Sequence, residues 1–115
     1  MLGYDLLLVV CLSAVLTVEF RVPAKYAEVS REIIIETLKE KLMQLKRVKE
    51  ELMEKLNKLC RKYRCSEEEL GEVLLKLDTP EADMDWVEVA ALRDIIEDIN
   101  HKIEVLRAII EQNKA

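Results

Sequence analysis

From Ile35 onward the apolar residues recur at a helical period. Ile35, Leu38, Leu42, Leu45, Leu52, Leu56, Leu59 and Tyr63 are spaced alternately by three and four once Lys49 is admitted to the series. This is a heptad with leucine at every d position from 38 to 59. No Gly or Pro interrupts 24–64, so the pattern predicts one long helix over that range. Ser66 followed by Glu67, Glu68 and Glu69 reads as a capping box opening a short helix over 67–77. Asp78-Thr79-Pro80 breaks it, with Thr79 or Asp83 available to cap the next helix. A second heptad then places Val89, Ile96, Ile103 and Ile110 at a, and Leu92, Ile99 and Leu106 at d, predicting a third helix over 83–113. The expected fold is mainly α. It is a long antiparallel, coiled-coil-like helical hairpin with a short connecting helix, preceded by a short N-terminal β-strand or apolar segment. The seam is expected to use Leu38, Leu42, Leu45, Leu52, Leu56 and Leu59 against Leu92, Ile96, Ile99, Ile103, Leu106 and Ile110.

Upstream of position 24 the period changes. Thr17 to Pro23 alternates strictly, with Val18, Phe20 and Val22 on one face, which predicts a strand over 17–22 ended by Pro23. The preceding run from Leu6 to Val18 is apolar apart from Ser13 and Thr17. As a helix it would span about 20 Å against a hydrocarbon thickness of roughly 30 Å. Three readings stay open: a buried second strand, a short membrane helix, or an over-extended start of the reading frame. In the membrane reading, Arg21, Lys25 and Arg31 would hold the rest of the chain in the cytoplasm. The chain thus divides into an apolar segment, 1–23, and the helical hairpin, 24–115.

With 115 residues there is room for one small domain. Two Gly and two Pro exclude turn-rich sandwiches, barrels and phosphate-cradling loops. The net charge of −5 hides a division: residues 1–64 carry 13 Lys or Arg against 9 acids, residues 65–115 carry 5 against 14. The lysines flanking the first heptad, Lys39, Lys41, Lys46, Lys55 and Lys62, would repel one another in a parallel homodimer. The acidic second half suits them better. Opposite halves facing each other leave no extended basic face for nucleic acid. Ile95 and Ile109 widen the second stripe beyond a two-helix seam, which predicts a bundle of two hairpins, a homo-oligomer. Three cysteines cannot all pair within one chain, and a reducing cytoplasm is the simplest compartment. Few Asn and Gln beside many Lys, Glu and Ile is a bias of proteins from hot-growing organisms.

Candidate chemistry is thin. Cys60, Cys65 and His101 are one ligand short of a closed zinc site, and the simpler reading makes the cysteines apolar fillers. Asp98 and His101 have the spacing used in di-metal bundles, which need a second such pair, and His101 is the single histidine. Glu69 with Glu72, and Asp94 with Glu97, resemble the magnesium-holding helices of all-α nucleotide pyrophosphatases, though such spacings arise readily among 23 acids. Leu92 to Ile103 resembles the first helix of AroQ-class chorismate mutases, which implies substrate binding by Arg93. Trp86 is either a core anchor, the reading favoured here, or an exposed hot spot for a partner. No catalytic, metal or cofactor site is expected.

The ensemble of Val18 to Tyr26, Lys62 to Leu70 and Asp85-Trp86-Val87-Glu88 resembles small coiled-coil antitoxin-type proteins encoded beside toxins in archaeal and bacterial operons. Those proteins typically carry Gly where Arg64 stands. The resemblance implies a non-catalytic protein that neutralises a partner toxin by binding it. Val18, Phe20, Val22 and Trp86 are the expected partner-binding residues, and the alternative is a membrane-anchored coiled-coil scaffold.

Overall fold

The computed structural model describes residues 5–11 and 17–113. The chain is mainly α, with α1 at Ala27–Tyr63, α2 at Glu67–Leu77 and α3 at Pro80–Gln112. Two strands precede the helices: β1, Asp5–Cys11, pairs antiparallel with β2, Thr17–Pro23, in a register running from Asp5 opposite Pro23 to Cys11 opposite Thr17. Over Asp5–Cys11 the apolar run is a strand. Among the described residues no helix is long and apolar enough to cross a membrane. A single 3-10 turn, Ala24–Tyr26, leads from Pro23 into α1.

The described residues form two compact units, one drawn from residues up to Leu45 and from Lys102 onward, the other from Lys46–His101. In the first, Leu45, Ile103, Ile109 and Ile110 are buried while Leu38, Leu42 and Leu106 are half-buried. The start of α1 meets the end of α3 there. Arg31 Nη2 donates to the Asn113 carbonyl at 3.4 Å, and the buried Asn113 amide donates to the Ile109 carbonyl at 2.7 Å.

The second unit is a three-helix arrangement, and α2 matters more to it than a connector would. Leu70 and Leu74, one turn apart on α2, are 0 % and 1 % exposed and join Leu56, Leu59, Ala82, Val89, Leu92 and Ile96 in one cluster. Each Leu, Val or Ile side chain in it contributes about 1.5–3 kcal/mol on burial, so this cluster dominates any single surface ion pair. Leu52 is half-buried and Ile99 buried, completing the seam in this unit.

The helix ends follow from local chemistry. Ser66 Oγ accepts from the Glu69 N–H at 3.3 Å and Glu69 Oε1 accepts from the Ser66 N–H at 3.4 Å, the reciprocal capping box. The third helix begins at Pro80 rather than 83. Thr79 Oγ1 accepts from the Ala82 N–H at 3.1 Å, and proline tolerates the first helical position because that N–H has no partner in any helix. Helix α1 closes with Arg64 in the left-handed region at φ 52°. The Arg64 N–H donates to the Arg61 carbonyl and the Cys65 N–H to the Cys60 carbonyl, the paired bonds of a Schellman turn.

Candidate interaction surface

At the closed end of the second unit the a and d positions of α1 and α3 turn polar. Tyr63 occupies the last a position of α1 and Asp85 the d position before Val89 on α3. The Tyr63 hydroxyl donates to Asp85 Oδ2. Lys62 Nζ donates to the same oxygen and to Glu81 Oε1, each at 2.7 Å. Asp85 is mostly covered, at 14 % side-chain exposure. The hydrogen bonds from Lys62, then from Tyr63, hold its carboxyl below the usual aspartate range against the opposing effect of burial. Asp85 in turn holds the Lys62 ammonium and the Tyr63 phenol above their ordinary values. These groups are satisfied by one another and arranged as a clamp.

Beside this clamp lies the opposite situation. Met84, Trp86 and Val87, within one turn of α3, are 74 %, 42 % and 62 % exposed, and Leu75 and Leu77 at the end of α2 are exposed as well. The favoured reading of Trp86 as a core anchor is therefore corrected. Asp85 takes the seam position, and Trp86, one residue on, falls about 100° round the helix, at an e site. Ile95 and Ile109, expected together to widen the stripe, behave differently: Ile109 is buried in the first unit and Ile95 is exposed in the second.

The expected strand residues fall on β2. Its backbone is paired on one side by β1, and among the described residues neither strand has a second neighbour. Val22 is half-buried; the side chains of Val18 and Phe20 lie outside the described ones.

The remaining candidates do not converge. Arg93 Nη2 donates to the Glu67 carbonyl at 2.5 Å, in an open recess it shares with Ser66, Glu67 and Glu68, so its guanidinium ties α3 to the first turn of α2. Glu69 is engaged in the capping box, Glu72, Asp94 and Glu97 are exposed, and His101 is exposed on α3. Cys60 and Cys65 are free thiols packed against the cluster of the second unit. Among the described residues no group of three or more His, Cys, Asp or Glu side chains is placed to hold a metal ion.

No family model matches the chain, and neither a curated protein nor a solved structure is significantly similar to it.

Proposed function

We propose that this chain is a non-catalytic interaction protein of the antitoxin type, which binds a partner protein through the closed end of the hairpin and through the outer edges of the β1–β2 pair. The observation that carries this reading is the exposure of Met84, Trp86 and Val87 within one turn of a well-anchored helix. Large apolar side chains grouped on a surface are characteristic of protein interfaces, and tryptophan is the residue most enriched among the anchors that dominate binding. The clamp of Tyr63, Lys62 and Asp85 supports the reading by fixing the helix that presents them. A two-stranded sheet adds a second mode, because an unpaired edge can take up a strand of the partner. Exposed Ile95 on the same helix supplies apolar surface for a second copy of the chain, so the binder works as a homo-oligomer in the cytoplasm.

The test is co-expression of the full chain with the product of the neighbouring gene, followed by size-exclusion chromatography with light scattering. The expected result is a stoichiometric complex that Met84→Glu with Val87→Glu weakens at least tenfold. A chain that elutes without the neighbour at micromolar concentrations overturns the reading.

A further inference from the structure

Cys60 and Cys65 stand at the two ends of a single Schellman turn. The Cys65 N–H donates to the Cys60 carbonyl at 3.1 Å, and the Arg64 N–H to the Arg61 carbonyl at 3.3 Å, with Arg64 left-handed between them. In this turn the residues that share the outer hydrogen bond commonly bring their side chains into contact. Two further observations agree. Both side chains are half-buried against the same cluster of Leu56, Leu59 and Leu70, and a charge on Cys60 is near enough to act on the Cys65 thiol. Neither cysteine is consumed by a bond or a metal cluster. The sequence treats them as fillers, yet a pair of fillers needs no sulfur, and both sit where one covalent bond would join the last turn of α1 to the residue before the Ser66 cap of α2.

We infer that Cys60 and Cys65 form a dithiol modification site that closes to an intramolecular disulfide when it meets a hydroperoxide, and reopens with an external thiol. In the first step the Cys60 thiolate attacks one peroxide oxygen. The O–O bond breaks, the sulfur loses two electrons to become a sulfenic acid, and the leaving oxygen takes a proton to depart as water or an alcohol. In the second step Cys65 attacks the Cys60 sulfur. The S–S bond forms, the S–O bond breaks, and the expelled hydroxide leaves as water with the Cys65 proton. Burial, then the neighbouring Cys60, pushes the Cys65 thiol up, which assigns Cys65 the resolving step and makes closure faster as pH rises. The product staples a short loop at a turn the chain already adopts, so it stabilises the second unit without rearranging it.

The experiment uses the full chain carrying Cys11→Ser, treated with hydrogen peroxide and mapped by mass spectrometry without reduction. The expected product is a monomer lacking two hydrogens, with Cys60 linked to Cys65, and a melting temperature several degrees higher that dithiothreitol reverses. As a second readout, a monofunctional trivalent arsenical, which needs two adjacent thiols, binds one per chain, and either Cys60→Ser or Cys65→Ser abolishes capture. Disulfide-linked dimers, separate oxidation of each thiol to sulfinic acid, or arsenical capture that survives a single serine variant would each overturn the assignment.

Discussion

The Tyr63 hydroxyl donates its hydrogen bond to the carboxylate of Asp85, joining the last turn of α1 to the second turn of α3. A hydrogen bond to a charged acceptor contributes about 1.5–3 kcal/mol when sheltered, and this one is partly covered. Tyr63→Phe should therefore cost about 1–2 kcal/mol in chemical denaturation. The same change in an Asp85→Asn background should cost markedly less. Additive losses in this double-mutant cycle would show that the two groups do not communicate.

Acid should weaken the second unit through Asp85. Its folded pKa lies below the unfolded one, so its contribution is fully present above about pH 4 and disappears as the pH falls through the folded value. Tyr63 has the opposite sense. Its pKa is raised on folding, so its contribution holds below about pH 10 and is lost as the pH rises through the folded value. Melting temperatures recorded across both limbs should fall at each end, and Asp85→Asn should flatten the acid limb. An unchanged acid limb in that variant would move the effect to other carboxylates.

Neighbouring leucines on α2 should behave very differently. Leu74 is 1 % exposed and Leu75 is 68 % exposed. Truncating Leu74 to alanine should cost about 2–5 kcal/mol, and truncating Leu75 no more than about 0.5 kcal/mol. Urea unfolding of the two variants decides, and similar midpoints would mean that α2 does not pack through Leu74.

Two backbone positions leave room for stabilisation. A methyl group added at Gly71 would meet Arg93 at 3.7 Å, ordinary van der Waals contact, within a helix where glycine is unfavourable. Gly71→Ala should gain about 0.5–1 kcal/mol. Arg64 holds a left-handed φ of 52° that glycine adopts without strain, and Arg64→Gly should gain about 1 kcal/mol. A fall in melting temperature for either variant would contradict the backbone argument.

The heptads made the helices legible, because burial of a and d residues is what a period of 3.5 encodes: Leu45, Leu56, Leu59, Val89, Ile96 and Ile103 are all buried. Local cap chemistry was equally readable at Ser66 and Glu69. Thr79 and Asp83 were both open as caps, Thr79 is the one used, and the start of α3 was set too late because the apolar period becomes evident only beyond Asp85. The contribution of α2 was missed. Its signal was Leu70 and Leu74 one turn apart, too short a pattern to separate a packed helix from a linker. The apolar run lacks both clean alternation and sufficient length, so the pairing of its Leu6–Cys11 part, within β1, with β2 required the structure. Trp86 was misjudged because a solitary tryptophan suggests a core, whereas the seam position beside it belongs to Asp85.

The central claim is that apolar surface at the start of α3 is kept for association instead of folding. Trp86 is the single tryptophan, so its fluorescence reports on that surface alone. Acrylamide quenching of the isolated chain, repeated after adding the neighbouring gene's product, tests the claim most directly. We expect strong quenching of the free chain and a severalfold smaller quenching constant, with blue-shifted emission, in the complex. A tryptophan already shielded in the dilute chain, or equally quenched in both, would contradict the account.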